Sequence, residues 1–583
     1  MEITPTEYDV IVIGTGITEC IIAAACSRIG KTVLHLDINR FYGEQWSSFT
    51  LTGLENFAKE GPPSINSELF SYRHFMQNLT FKETPSGQPS QENQKLDQAK
   101  HENAQKGEKT KIQDDSESPE QINEKEETTT EAIPLKPSWT SERLQKSKRR
   151  VNIDVTPKLC YSAGRMVDLL RSSNCSRYLE FKAVNRSFVH YQGELIQAPC
   201  NREQVFNCKH LKVLEKRIMM KFVTFALQVG EESEEFLEWD KKEDMDLYRS
   251  FKLTDGLINL VRASLVVSSK ETVSAHEVIR SIKHYLKNIG IYGSMPFICP
   301  IYGAGELPQA FARFSAVFGS IYVLDIAPTE LSYDESGKFS GVTLQTGQKL
   351  TGKYCVVSPN YTSPSLPSPT EGLVSVSHAV YLTASSIKPK TKPGEQDDVS
   401  ILHILSGCLD NPRPVSGFEF GPRSMLPAED MYMIHLTTPG RDPTNDLESV
   451  VDKITDNTAV LYKLFFTTQM SAEGWNVDPV LDKNIIRTTF PTYSAGYSEC
   501  IEEARKSFSL LYPDEEFLPA APNPEDIKWP DEDETEELET QPQAGVEATP
   551  QEKVEEISEK LVDDLDKGAT EGVAESGAVA GSD

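Results

Sequence analysis

The loop from Gly14 to Glu19 constrains the fold more than any other part of this sequence. It reads Gly-Thr-Gly-Ile-Thr-Glu and lies between two apolar stretches, the first of strand length and the second of helix length. A glycine-rich turn in this position is typical of the βαβ unit that binds dinucleotides, in which an acidic residue ends the second strand. Asp37 lies 21 residues beyond Gly16, at the end of the next apolar stretch. The sequence therefore predicts an α/β fold with a Rossmann-type domain.

Two carboxylates depart from the dinucleotide pattern. Glu19 stands where the third glycine belongs, and Glu44 lies in a window where flavoproteins of this type often have two glycines. A pyrophosphate would rest on the helix N-terminus, where free N–H groups and the helix dipole attract an anion, but Glu19 already supplies one. We therefore expect a flavoprotein-like scaffold without a cofactor, in which Gly14, Gly16, Glu19 and Asp37 form a vestigial dinucleotide loop. The alternative is that the two glycines only make a tight turn.

Two segments contain few apolar residues. Residues 84–150 are mostly Gln, Glu, Lys, Ser, Thr and Asn, and residues 525–583 hold 20 acidic residues against four lysines. The second segment therefore has a net charge of −16 out of −29 for the whole chain. Neither segment can bury enough surface to offset the entropy of ordering it. We predict a disordered insertion and a disordered acidic tail, and the tail is either a solvated appendage or a docking element.

Composition excludes several classes of protein. The chain has no apolar stretch of membrane-spanning length and no signal peptide at Met1, so we expect it in the cytosol. Its ten cysteines are scattered without a CxxC pair, which predicts buried free thiols. Single histidines such as His276, His284 and His403 predict no metal site, and strong acidity argues against nucleic acid as a partner. We find no nucleophile, base and orienting residue that would form a catalytic group.

The middle of the chain predicts a hairpin followed by helices. The turn is expected at Gln192–Gly193, within residues 187–199. Helical spacing of apolar residues follows, and Ser274 with Glu277 forms a capping box. We also expect a helix to begin at Thr156–Pro157 and another to span 165–172 after a break at Gly164. The expected core positions on the helices are Leu211, Leu214, Ile218, Phe222, Phe225, Leu257, Ile258, Val261, Leu265, Ile279, Ile282, Leu286 and Ile289.

Several windows of the ordered chain resemble one known group of proteins, the Rab escort protein and Rab GDP-dissociation inhibitor superfamily. The resemblance is most specific in the block from Gly303 to Arg313, which reads Gly-Ala-Gly-Glu-Leu-Pro-Gln-Ala-Phe-Ala-Arg. The other windows run from residue 8 through Tyr42–Gly43, from Asn152 to Phe181, and from Leu214 to Arg217. The resemblance implies an α/β domain with flavin-monooxygenase topology that binds no flavin, and a smaller helical domain that shelters prenyl chains.

Composition and resemblance together divide the chain into six segments. We expect an α/β domain in three parts (1–83, 151–210 and 294–524), a disordered insertion (84–150), a helical prenyl-binding domain (211–293) and a disordered acidic tail (525–583).

The resemblance also implies two sets of site residues. Tyr42, Glu306 and Arg313 match the platform that contacts a GDP-bound Rab GTPase. Phe206 and Arg217 match the positions at which escort proteins grip Rab geranylgeranyl transferase, whereas the inhibitors have a small residue in place of Phe206. From the residues alone, Glu306 could simply pair with Arg313, and Phe206 could be a core residue.

The function implied by the resemblance is that of the escort branch. Such a protein binds unprenylated GDP-bound Rab, presents it to the transferase heterodimer, retains the geranylgeranylated product and delivers it during transient membrane contact. It is not itself an enzyme. The alternatives are a GDP-dissociation inhibitor that recycles prenylated Rabs and, from another class, a flavin-dependent oxidoreductase of amine-oxidase type.

Overall fold

The structure is a computed structural model that describes residues 2–84, 139–388, 398–472 and 478–520, apart from positions 62, 66, 68, 269, 271, 368 and 370. In chain order, the strands of the described residues are β1 (Glu7–Ile13), β2 (Val33–Asp37), β3 (Ser48–Thr50), β4 (Ser71–Tyr72), β5 (Met76–Glu83), β6 (Asn152–Asp154), β7 (Cys160–Tyr161), β8 (Phe181–Ala183), β9 (Arg186–Tyr191), β10 (Glu194–Gln197), β11 (Phe297–Pro300), β12 (Ile321–Leu324), β13 (Pro328–Tyr333), β14 (Phe339–Leu344), β15 (Lys349–Val357), β16 (Tyr361–Thr362), β17 (Leu373–Thr383), β18 (Val399–Ile404), β19 (Val415–Phe420), β20 (Tyr432–Pro439), β21 (Val460–Ser471), β22 (Leu481–Asp482) and β23 (Ile485–Arg487). The α-helices of the described residues are α1 (Ile17–Arg28), α2 (Leu51–Glu60), α3 (Ser141–Ser147), α4 (Arg165–Ser172), α5 (Arg202–Asn207), α6 (Val213–Gln228), α7 (Glu234–Leu237), α8 (Asp244–Ser250), α9 (Asp255–Val261), α10 (Ala275–Lys287), α11 (Glu306–Val317), α12 (Pro443–Ile454) and α13 (Ser498–Leu511).

The first sheet has the predicted Rossmann-type core. Strands β12, β2, β1 and β15 are parallel and lie in this order, and β15 also pairs with antiparallel β14 and parallel β23. Residues 10–13 of β1 are fully buried because the sheet is covered on both faces. Helix α1 is buried along residues 17–27, where it contacts α11 and α13, which explains why it is apolar on every side. The α/β fold predicted from the sequence is confirmed.

The second sheet also has eight strands and is mostly antiparallel. Its order is β10–β9–β18–β19–β20–β17–β21–β5, and only β9 and β18 run parallel. The predicted hairpin is β9–β10, and both of its turn residues, Gln192 (φ 50°) and Gly193 (φ 92°), adopt the left-handed backbone of a type I′ turn. Helix α12 packs on one face of the sheet, and helices α6 to α10 share a hydrophobic core with it on the other.

The helical part lies between residues 202 and 287 and is closed by aromatic packing. Phe222 of α6 is fully buried, and its ring lies 5.7 Å from Tyr248 and 5.3 Å from Phe251. The predicted capping box is present, since Ser274 and Glu277 exchange hydrogen bonds with each other's backbone at the start of α10. The predicted break at Gly164 and the helix that follows are confirmed as α4.

One domain boundary is wrong. Residues 139–150 were assigned to the disordered insertion, but they form α3 and a 3₁₀ turn. Lys148 is buried there between Glu55 and Glu83, with its Nζ 2.7 Å and 2.6 Å from their carboxylate oxygens. The helix could not be predicted from composition, because ion pairs to residues distant in the sequence stabilise it. Residues 85–138 of the predicted insertion, and residues 521–583, which contain the predicted tail, lie outside the described residues.

Two local expectations are also wrong. No helix begins at Thr156–Pro157, where the described chain runs as a bend between β6 and β7. Leu214 was expected in the core of its helix, but its side chain is 67% exposed and Glu215 is buried instead. The register differs because the carboxylate of Glu215 caps the helix by accepting from the Lys212 N–H at 3.0 Å and also accepts from Thr254.

The cysteines are free thiols, and eight of the ten are buried, while Cys208 and Cys408 are partly buried. Within the described ranges, no helix combines the length and the apolar character needed to cross a membrane.

Candidate interaction surfaces and the closed cofactor crevice

The glycine-rich turn is built as expected, but its acidic partner binds the turn itself. Gly14 has φ +97°, and a Cβ on it would lie 2.3 Å from Ser358 Cβ, so only glycine fits there. Asp37 Oδ2 accepts hydrogen bonds from the backbone N–H of Thr15 at 2.9 Å and from its hydroxyl at 2.5 Å. Its other oxygen accepts from the N–H of Asn39 at 2.8 Å. Asp37 therefore uses its acceptor sites to hold the loop, where a dinucleotide enzyme would use them on a ribose.

Glu19 fills the space above the second glycine. Its Oε2 lies 2.3 Å from where a Cβ on Gly16 would be, and its Oε1 accepts a hydrogen bond from the Thr488 hydroxyl. The side chain also accepts from its own backbone N–H, one of the free donors of the helix N-terminus. Burial raises the pKa of Glu19 to about 7.

Two further carboxyl groups are buried close by. Glu44 Oε2 accepts from the Ser358 hydroxyl at 2.6 Å, and burial together with Asp37 and Glu19 raises its pKa well above the ordinary value. Glu503 accepts from the Thr489 N–H at 2.6 Å, and burial and the nearby Glu19 raise its pKa to about 8. Together with Glu19, these buried side chains crowd the turn on which a dinucleotide would place its pyrophosphate.

The crevice therefore does not fit a flavin dinucleotide. The carboxylate of Glu19 occupies the anion position, Asp37 is engaged by the loop, and Glu44 is buried within contact distance of Gly14, 3.1 Å from the position of its absent Cβ. That purified protein lacks flavin stays a prediction, and this geometry supports it.

The structure brings together the three residues predicted to contact a GTPase. Tyr42, Glu306 and Arg313 line one open groove, together with residues that the sequence analysis did not single out: Tyr178, Gln309, Ala310, Ala312, Ala316, Ser320 and Tyr322. Glu306 and Arg313 both lie on α11, and Tyr42 lies beyond the carboxyl end of β2. A crevice outside the carboxyl ends of parallel strands is where α/β folds commonly bind their ligands.

Glu306 and Arg313 do not form the ion pair with each other that the simpler interpretation required. Among the described residues, no ion pair joins Glu306 to Arg313, and Arg313 is exposed with its guanidinium 4.8 Å from the centre of the Tyr178 ring. Glu306 is half-buried and accepts from the Tyr302 N–H at 3.4 Å, and burial raises its pKa. The surface thus presents a guanidinium beside aromatic rings, which suits a polar protein interface.

Tyr178 and Tyr322 could not have been found from local sequence. Tyr178 follows α4 in a 3₁₀ turn, and Tyr322 lies on β12, so they come from segments more than a hundred residues apart. Tyr322 is 5.9 Å from Tyr42 between ring centres. Only the folded sheet brings these rings to α11.

The other predicted pair lies on the helical part. Phe206, at the end of α5, is 53% exposed, so it is not a core residue. Arg217 is exposed on α6. A hydrogen bond joins α6 to α5, since the Lys216 Nζ donates to the Phe206 carbonyl oxygen at 2.6 Å. The Arg202 guanidinium lies 5.6 Å from the centre of the Phe206 ring. An exposed aromatic residue with basic neighbours is typical of an interface anchor.

Comparison with known proteins gives consistent findings. A model of the family described as GDP dissociation inhibitor matches residues 4–83 and 135–381. The chain is 31% identical over 625 residues to "Rab proteins geranylgeranyltransferase component A 2" of Homo sapiens, which covers 91% of this chain and 94% of that protein. It is 30% identical over 535 residues to the component A protein of Drosophila melanogaster, with 91% and 93% coverage.

Two further relatives are inhibitors. The Rab GDP-dissociation inhibitor of Saccharomyces cerevisiae is 25% identical over 478 residues, which covers 76% of this chain and 90% of that protein. The crystal structure of the Rab GDI of Plasmodium falciparum superposes with a TM-score of 0.61 over 87% of this chain and 98% of that one, at 18% identity. This likeness concerns the fold.

Proposed function

Because the chain belongs to the GDP dissociation inhibitor family, we propose that it acts as a Rab escort protein. It binds newly made, GDP-bound Rab, presents the Rab C-terminus to Rab geranylgeranyl transferase, retains the lipidated product and delivers it to a membrane. The single observation that carries the proposal is about 30% identity along some nine-tenths of the chain. Relatives named component A align over about nine-tenths of this sequence, whereas the yeast inhibitor aligns over 76% of it.

Tyr42, Glu306 and Arg313 form the Rab-binding platform in this proposal. Their groove is open, and its residues contribute an exposed guanidinium, a half-buried carboxyl group and several tyrosine rings. Arginine and tyrosine are the residue types most often found at the centres of protein interfaces. A Rab surface of mixed polar and apolar character would bury these side chains without leaving a charge unpaired.

Phe206 and Arg217 form a separate transferase-binding surface in this proposal. They lie on α5 and α6 of the helical part, while the platform lies on α11 and the end of β2. Two distinct surfaces allow Rab and transferase to be held at the same time, which presentation of a substrate requires. The chain supplies binding, and the transferase heterodimer supplies the chemistry.

The helical part is the proposed shelter for the geranylgeranyl chains. Its interior is filled by fully buried side chains such as Phe222, Tyr248 and Ile282. A prenyl chain would therefore enter by separating the helices, and burial of its many CH₂ groups, each contributing about 0.8 kcal/mol, would offset the loss of these contacts.

The second candidate is a recycling Rab GDP-dissociation inhibitor, which would bind Rab without affinity for the transferase. The exposed Phe206 favours the escort function, since the resemblance implies a small residue at that position in inhibitors. An oxidoreductase is disfavoured because buried carboxyl groups fill the crevice in which a flavin would bind.

The test is prenylation of a purified GDP-bound Rab by the transferase heterodimer, with and without this chain. An escort protein is expected to make geranylgeranyl transfer depend on its presence at limiting transferase. An inhibitor would extract prenylated Rab from membranes in a parallel assay and leave the transfer rate unchanged, and that result would contradict the proposal.

A further inference from the structure

A patch at the start of α6 combines exposed apolar side chains with basic ones. Phe206, Val213 and Leu214 are 53%, 68% and 67% exposed, although they lie within nine residues of sequence. Residues 202–217 carry five basic side chains and two acidic ones, so their net charge is +3 in a chain of −29. The basic side chains are Arg202, Lys209, Lys212, Lys216 and Arg217, and the acidic ones are Glu203 and Glu215.

The patch is suited to an apolar partner that is also acidic. Glu215 is 8% exposed and its oxygens are taken by the Lys212 N–H and the Thr254 hydroxyl, so it weakens the surface charge little. Glu203 is the one exposed carboxylate of the segment. Clustered exposed apolar side chains mark interaction sites. Positively charged side chains around them favour a negatively charged partner.

The chain itself carries a segment with this chemistry. Residues 552–566 hold seven acidic residues and two lysines, a net charge of −5. Their apolar residues recur at the spacing of one side of a helix, i, i+3, i+7, i+8 and i+11. These residues are Val554, Ile557, Leu561, Val562 and Leu565. The segment lies outside the described residues.

The segment can reach the patch. The described chain ends at Ala520, whose carbonyl oxygen accepts from the Arg28 guanidinium at 2.9 Å. Residues 521–551 then give a connection of 31 residues, which spans up to about 100 Å when extended. A domain of this size is about 60 Å across. A tether of this kind holds the segment at an effective concentration on the order of 1 mM.

We propose that the acidic segment 552–566 docks on the patch formed by Phe206, Val213 and Leu214 of the same chain. The apolar residues of the segment cover these three side chains, and its carboxylates pair with the surrounding lysines and arginines. On the proposed function above, the docked segment covers Phe206 and Arg217, so the transferase must displace it.

Hydrogen exchange of the full chain, read by mass spectrometry, tests the docking without a Rab or a transferase. A synthetic peptide of residues 552–566 gives the exchange rate of the free segment. For a local dissociation constant of about 0.1 mM and the effective concentration above, exchange in the full chain is expected to be about ten-fold slower. The slowing of exchange should be smaller in roughly 0.5 M salt, because the charges are then screened. The Debye length falls from about 10 Å at 0.1 M salt to about 3 Å at 1 M.

Variants at the patch separate docking from other causes of slow exchange. Leu214→Glu adds a repelling charge at an exposed position and should abolish the slowing, whereas Val480→Glu, at an equally exposed valine (68%), should leave it intact. Exchange at the free-peptide rate in the unmodified chain overturns the proposal, and so does slowing that survives Leu214→Glu. Slowing that disappears on dilution overturns it too, because the segment would then dock on a second copy. None of these outcomes depends on whether the chain is an escort protein.

Discussion

At the scale of single residues, Arg313 and Tyr42 carry the proposed Rab contact. Arg313→Ala or Tyr42→Ala is expected to weaken binding to GDP-loaded Rab by about 1–3 kcal/mol, or about five- to a hundred-fold, as for residues near the centre of an interface. Arg313 is exposed, so its loss should leave thermal unfolding unchanged. Isothermal titration calorimetry with GDP-loaded Rab measures the effect.

Arg249→Ala is the matched control for Arg313→Ala, since Arg249 is also an exposed helical arginine and lies on α8 of the helical part. It should bind Rab with unchanged affinity. Normal affinity in both Arg313→Ala and Tyr42→Ala would mean that Rab binds elsewhere on the molecule.

Phe206→Ala is expected to separate the two proposed activities. The ring is 53% exposed, so folding should be preserved, and Rab binding at the distant groove should persist. Affinity of the preformed Rab complex for the transferase should fall by about 2–4 kcal/mol, as for an interfacial aromatic anchor. Arg217→Ala should act in the same direction and more weakly, because an exposed charge at the rim of an interface contributes less.

Tyr292→Ala serves as the control for Phe206→Ala, since that ring is 55% exposed just after the last helix of the helical part. Surface plasmon resonance with immobilised transferase compares the two variants. Unchanged transferase affinity in Phe206→Ala would favour the inhibitor function.

At the scale of elements, the βαβ turn and its buried acids predict the absence of flavin. The side chains of Glu19 and Glu44 occupy the space at the turn where a pyrophosphate would bind. Protein purified from a flavin-rich host should show no visible flavin absorbance after acid release. A stoichiometric flavin spectrum would mean that the crevice opens to the cofactor despite these acids.

The same acids predict how stability depends on pH. The pKa values of Glu19 (about 7) and Glu503 (about 8) in the folded chain exceed the ordinary value near 4.3, so the folded state holds more protons than the unfolded state above about pH 4.3. The free energy of unfolding should therefore fall as pH rises from about 6.5 to 8, by on the order of 1–3 kcal/mol. As pH falls below about 6.5, His35 and His403 oppose the rise in stability. They are buried with pKa values near 4, so the unfolded state takes up their protons first.

Urea denaturation at a series of pH values measures this slope. Glu503→Gln should flatten it and raise stability at pH 8, because a neutral amide replaces an acid that must ionise while buried. Glu335→Gln, at an exposed position, should keep the slope. Stability that rises between pH 6.5 and 8 would contradict the prediction.

Elements that depend on local signals were predictable from the sequence. The glycine turn, the hairpin at Gln192–Gly193 and the capping box at Ser274 each use residues close in sequence, and each is confirmed. Leu214 was misassigned because a helical stripe cannot show which of two adjacent sides faces the core. That choice depends on Glu215 meeting Thr254, a contact between separate helices.

At the scale of the whole molecule, the ends of the polar insertion lie together. Glu83 at the end of β5 accepts from the Gln145 side chain of α3 at 2.6 Å and is paired with Lys148. Replacing residues 86–137 with a Gly/Ser linker of about eight residues should therefore leave the melting temperature and Rab affinity unchanged, since closing so short a gap costs little entropy. Differential scanning calorimetry and Rab titration measure both.

Extending the deletion through residue 150 should behave differently. Lys148 would be lost from between Glu55 and Glu83, leaving the half-buried Glu55 with only the Tyr462 hydroxyl at 2.6 Å. Lys148→Ala alone should destabilise the chain by about 2–4 kcal/mol, since it removes one partner of a buried ion pair. Equal stability of the short and the long deletion would contradict this role of α3.

The sequence could predict three residues of the groove but not the tyrosines that line it beside them. Glu306 and Arg313 were placed by a seven-residue spacing and by resemblance, and the fold brings Tyr42 to them. Tyr178 and Tyr322 reach the groove only through the packing of α11 against the sheet, which no local pattern encodes. The buried Glu503 was missed for the same reason, because it meets Glu19 across nearly the full length of the chain.

The buried carboxyl groups around the glycine turn also act together, so that no one of them alone closes the crevice. Glu19→Gly would restore the fingerprint, but it would leave Glu44 in the crevice and a hole where the carboxylate had packed, while Asp37 still held the loop. Each single substitution thus leaves other carboxyl side chains in place around the turn. Opening the crevice to a cofactor would therefore take several substitutions made together, at positions far apart in the sequence.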